Sequence, residues 1–141
     1  MKIHIRLLII LVLLLVGSAA AQTNGNLTPP TQFITLQNVA SSNINGSEIN
    51  TRIYGGVVFE VTGTFSLTLV CEANLEGTWT SVLAVNLADG VSTANVTATG
   101  KYFVSLAGAE SFRTRIQSYV SGTVTVRARQ VPSPAKAGGT N

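Results

Sequence analysis

Four arginines near the C-terminus, Arg113, Arg115, Arg127 and Arg129, carry the clearest chemical signal in the chain. They form two i, i+2 pairs, and an arginine fork matches the geometry of a carboxylate or a phosphate. Phe112, Thr114 and Ile116 alternate with the first pair, while Val124, Val126 and Ala128 alternate with the second. If these two runs form a hairpin closed by Val120-Ser121-Gly122, Arg115 faces Arg127 and Arg113 faces Arg129. Four guanidiniums on one outward face repel by up to ~1 kcal/mol per opposed pair. The expectation is therefore an acidic partner, such as a neighbouring subunit, an anionic glycan or a lipid headgroup. The alternative is dilution of the repulsion by Glu60, Glu72, Glu110 or solvent.

Trp79, the single tryptophan, follows a Gly-Thr turn and has two readings: a core residue, or an exposed aromatic on which a sugar stacks. Glu60 and Glu72 suggest a glycosidase-like acid pair if they share a sheet face, against a plain solvated face. Glu72, Asn74 and Glu76 offer oxygen ligands for calcium, but not in a recognised loop spacing. Cys71 is in phase with Phe65, Leu67 and Leu69, so it reads as a small buried hydrophobe and has no cysteine partner. The only histidine is His4, inside an N-terminal leader, so the commonest general base is missing from residues 22–141. With lysines there only at Lys101 and Lys136, activation of a serine or threonine has few candidates. The expectation is a chain without catalysis, metal or cofactor. Sequons occur at Asn26, Asn45 and Asn95.

The elements that must position these residues lie beyond that leader. Lys2 and Arg6 precede an apolar run ending in Gly17-Ser18-Ala19-Ala20-Ala21, the pattern of a secretory signal peptide cleaved after Ala21. The run is about ten residues, half of what a membrane-spanning helix needs. A secreted, extracellular or periplasmic protein without a permanent membrane span is expected. Of nine basic residues, Lys2 and Arg6 leave with the leader, so seven face six acidic ones and no nucleic-acid-seeking surface is indicated.

After the leader, residues 22–47 are rich in Asn, Thr, Ser and Gln and read as an extended arm. One alternation there, Phe33-Ile34-Thr35-Leu36-Gln37-Asn38-Val39, suits an edge strand. Residues 48–131 show period-2 alternation broken by turn signals, and residues 132–141 read as a mobile tail. A strand is expected from Glu48 to Tyr54. Val57, Phe59 and Val61 then share one face, and Thr62-Gly63-Thr64 reads as a tight turn into the strand carrying Phe65, Leu67, Leu69 and Cys71. Further turns are expected at Glu76-Gly77-Thr78, Ala88-Asp89-Gly90 and Ala107-Gly108-Ala109-Glu110. The fold class is all-β: one antiparallel β-sandwich, Ig-like or jelly-roll-like, of seven to eight short strands after an N-terminal signal helix.

The order Gly55-Gly56, VTGTFSLTL, the E-x-N-x-E-G-T-W approach to Trp79, GKYFVSLAG and FRTRIQSYVSGTVTVRA resembles small β-sandwich domains of tailed-bacteriophage virion proteins. The resemblance covers about residues 48–131. It implies a structural, tail-associated or adhesive role with no catalytic residues. Together with the leader it points to a secreted module for structural assembly or surface attachment, whose partner is itself or another surface protein. The alternative is a carbohydrate-binding module, favoured if Trp79 and the tyrosines are exposed together.

Overall fold

The computed structural model describes residues 32–132. The expected signal helix, the first ten residues of the arm and nearly all of the tail lie outside the described residues. Nine strands form one connected antiparallel sheet: β1 (Ile34–Ala40), β2 (Ile49–Asn50), β3 (Tyr54–Leu75), β4 (Thr78–Val82), β5 (Ala84–Asn86), β6 (Ser92–Thr93), β7 (Asn95–Val96), β8 (Gly100–Ser105) and β9 (Ser111–Pro132). The all-β class read from the alternation is the observed one. The strand lengths are not: two strands run 22 residues each, and three span only two.

The two long strands pair along their whole length, from Tyr54 opposite Pro132 to Asn74 opposite Ser111. Neither expected hairpin exists. Thr62-Gly63-Thr64 lies inside β3, and Val120-Ser121-Gly122 lies inside β9. The glycines mark where the ribbon bends and its backbones cross closely. Gly63 (φ 121) sits opposite Val124, and Gly122 (φ 87) sits opposite Phe65. A Cβ on Gly122 would collide with the Thr64 carbonyl oxygen, and one on Gly63 with that of Thr123. Just beyond, the pairing steps from Ser66–Ser121 to Leu67–Tyr119 and from Thr68–Ser118 to Leu69–Ile116. Val120 and Gln117 are thus left as bulges, which sharpen the local twist.

The bend folds the ribbon onto itself. Phe112 is paired with Ala73, fourteen positions along β3 from Phe59, a path of about 46 Å if extended. The Phe59 and Phe112 rings are nevertheless 6.0 Å apart. Two layers therefore face each other. In one, β1, the second half of β9, the first half of β3, β8, β5 and β6 lie in that order. In the other, β2 pairs with the first half of β9, which pairs with the second half of β3, whose other edge takes β7 and then β4.

Alternation sends the odd-numbered β3 residues and the even-numbered β9 residues inward. Val57, Phe59, Val61, Val124, Val126 and Ala128 from one layer meet Leu69, Cys71, Ala73, Phe112 and Ile116 from the other in a single core. Phe59 also stacks on Tyr102 at 5.3 Å. Leu83 divides the run after Trp79, so β4 belongs to one layer and β5 to the other.

The strand expected over 33–39 is β1, so the sheet begins before Glu48. The strand expected from Glu48 to Tyr54 shrinks to β2, because Tyr54 N–H donates to the Thr51 carbonyl and closes a turn. Gln37 and Thr51 stitch the layers and loops: Gln37 Nε2 donates to the Thr114 carbonyl at 3.1 Å, and Thr51 Oγ1 donates to that of Ala109 at 2.9 Å. The Glu76-Gly77 turn is a two-residue connection with both residues at positive φ, the geometry that suits a tight hairpin.

Candidate functional site

Arg113, Arg115, Arg127 and Arg129 all lie on the convex side of the folded ribbon, but on different arms of it. The register that opposes Arg115 to Arg127 and Arg113 to Arg129 does not occur, because β9 is one continuous strand whose partner is β3. The fold-over instead turns the two pairs outward from opposite layers. Like-charge crowding of four guanidiniums is thereby removed at the level of topology.

The first pair is neutralised. Arg113 is directly opposite Glu72, and Arg115 is one step along the same face, opposite Val70. Arg113 Nε donates to Glu72 Oε2 at 2.8 Å, and Arg115 Nε donates to Oε1 at 2.7 Å. Glu72 is only 6% exposed. Burial pushes its carboxyl upward, but the hydrogen bonds and positive charges of Arg115 and Arg113 outweigh this and hold it below the ordinary value. The Arg113 guanidinium also covers the Trp79 ring, 4.0 Å from its centroid. Glu72 is one of the carboxylates expected from the sequence to dilute the repulsion; the cap on Trp79 is visible only once β4 is placed beside β3.

The second pair is not neutralised in this way. Arg127 and Arg129 are exposed, and among the described residues neither forms an ion pair. Glu60 lies directly opposite Arg127 on one side and opposite Lys101 on the other, and it bonds to neither. Both guanidiniums instead lie over the Phe33 ring, at 5.4 and 5.6 Å. Sequence reasoning gave Phe33 no functional role; its position just before the edge strand that pairs with β9 was the available signal.

Other candidates are dispersed. Glu60 and Glu72 sit on the outer faces of different layers, so they form no acid pair across one substrate. Both Glu72 oxygens are occupied by arginine, and Glu76 is exposed at its turn, which leaves Glu72, Asn74 and Glu76 without a common centre. Trp79 is half-buried under Arg113, while Tyr102 is buried and donates its hydroxyl to the Ala98 carbonyl at 3.0 Å. Tyr54 and Tyr119 are, like Trp79, partly exposed, so the tyrosines do not all share the exposure that would favour a carbohydrate-binding module. Cys71 is buried in the core, as its phase indicates. Asn45 and Asn95 are exposed, and Asn26 lies outside the described residues.

The fold defines an all-β, two-layered antiparallel class, and two solved structures share it. The chain is similar to the SPBc2 prophage-derived protein YomS, at 20% identity and a TM-score of 0.63, over 70% of this chain and 90% of that one. It is also similar to the PBSX exported protein XepA, at 17% identity and a TM-score of 0.65, over 70% of this chain and 37% of that one. Both neighbours are phage-derived, as the resemblance of the sequence implied in its coarser form. No protein-family model matches the chain, and no curated protein matches it. No helix among the described residues is long and apolar enough to cross a membrane.

Proposed function

We propose that this chain is an exported, non-catalytic β-sandwich module related to phage proteins, serving structural assembly or attachment to a surface. The observation that carries the reading is the fold shared with YomS and with the exported protein XepA. The N-terminal leader pattern supports export. The fate of the one buried carboxylate supports a non-catalytic role: Glu72 is locked between two arginines and has no free oxygen with which to take up or give a proton. The outer faces of the two layers are then the surfaces through which such a module acts.

Native mass spectrometry of the secreted chain, combined with a sedimentation assay on bacterial cell-surface material, tests this. A defined homo-oligomer, or co-sedimentation with the surface, is expected. A monomer that stays in solution would contradict both assembly and attachment, and turnover of a glycan or peptide substrate would contradict the non-catalytic reading.

A further inference from the structure

The two arginine pairs differ in a way that singles out one face. Arg113 and Arg115 are consumed by Glu72, whereas Arg127 and Arg129 are exposed, form no ion pair among the described residues, and are held by Phe33. The strand register places Thr35, Arg127, Glu60 and Lys101 in one row across four adjacent strands. Arg129 begins the next row, opposite Val58, which is in turn opposite Phe103. This face thus presents three cations against one carboxylate, and the carboxylate pairs with none of them.

We propose that the outer face of the β1-β9-β3-β8 layer, centred on Arg127, Arg129 and Lys101, binds an anionic glycan that carries repeated carboxylate, sulfate or phosphodiester groups. The proposal rests on the attachment reading and names its partner. Charge complementarity is the first argument. Guanidiniums two positions apart on one strand side stand roughly 7 Å from each other, so they engage successive charges of an extended polymer. Lys101 extends the positive row two strands further, about 10 Å away. The aromatic hold is the second argument. Stacking on Phe33 restricts the two guanidiniums without neutralising them, so less side-chain freedom is lost on binding. The make-up of the face favours a glycan over a folded acidic protein. Protein interfaces centre on large, exposed apolar or aromatic anchors ringed by polar groups, whereas the central row here is hydroxyl, cation, carboxylate and cation in sequence, and the neighbouring Phe33, Val58 and Phe103 are only partly exposed. Such a surface suits a hydroxylated, charged chain that takes its charges from Arg127 and Arg129 along β9 and bends towards Lys101.

The test is retention of the secreted protein on immobilised dextran sulfate and polygalacturonate, with uncharged dextran and polyglutamate as comparisons, at low and high salt. Both anionic glycans should retain the parent protein at low salt and release it at high salt. Arg127→Ser with Arg129→Ser should weaken retention roughly tenfold or more, while Arg52→Ser, an exposed arginine already paired with Glu110 at 3.4 Å, should leave it unchanged. A thermal melt of each variant checks that the fold is intact. Equal retention on neutral dextran, equal retention on polyglutamate, or parent-like retention of the double variant would each overturn the proposal. A homo-oligomer that binds no anionic glycan would overturn it too, yet leave the assembly reading standing.

Discussion

Phe59 and Phe112 lie 6.0 Å apart although they occupy opposite arms of one long ribbon. This contact is where the two layers meet. Phe112→Ala should cost about 3–5 kcal/mol, because the cavity opens at the seam between layers that have few other aromatic contacts. Phe103, half-exposed on the outer face, should cost under about 1.5 kcal/mol when changed to Ala. Urea unfolding of both variants measures the difference, and equal costs would mean the layers are not closed on this pair.

Glu72 should make the protein sensitive to acid. Its folded-state value is held below the ordinary 4.5, so its ionised form contributes stability that is complete above that ordinary value and is lost as pH falls through the lower folded one. Glu72→Gln should cost about 2 kcal/mol at neutral pH, less than a fully buried pair, since Arg113 and Arg115 reach solvent in part. The gap between variant and parent should narrow as the pH drops below that range. Denaturation curves across the acid limb show it.

Cys71 should behave in the opposite sense. Burial, then the nearby Glu72 charge, push its thiol from 9.0 up to about 12. The unfolded chain therefore ionises first, and the stability tied to the neutral thiol is lost as pH rises from about 9 towards 12. At pH 8 a thiol reagent should label Cys71 only after denaturation. Rapid labelling of the native protein would show that the core opens at this position.

The alternation of Val57-Phe59-Val61 and of Leu67-Leu69-Cys71 was enough to assign inward faces, because each residue's parity survives whatever the strand's neighbours are. What the ribbon hid was continuity. Gly63 and Gly122 have the flanking residues of hairpin turns, and a local reading has no way to tell a turn from a bend at which two backbones touch. The same ambiguity misplaced the arginines: their faces were legible, but the partner of Arg115 is set by pairing β9 with β3, across more than forty residues of chain.

Gly122 and Gly77 separate these two uses of glycine. Both have positive φ, at 87 and 83, but a Cβ on Gly77 meets nothing within 4 Å, whereas one on Gly122 meets the Thr64 backbone. Gly77→Ala should cost about 1 kcal/mol from the left-handed backbone alone. Gly122→Ala should cost several-fold more or prevent folding, because the two strands must move apart at the bend. Soluble yield and melting temperature of the two variants rank them.

One folded ribbon sends the two arginine pairs outward from opposite layers. Spin labels at Arg115→Cys and Arg127→Cys, in a Cys71→Ala background, address it through a pulsed dipolar distance. Sheets packed face to face lie about 10 Å apart and each label projects outward, so a separation above about 20 Å is predicted. Labels in near contact, with the dipolar broadening expected when residues oppose each other at about 5 Å across a hairpin, would contradict it.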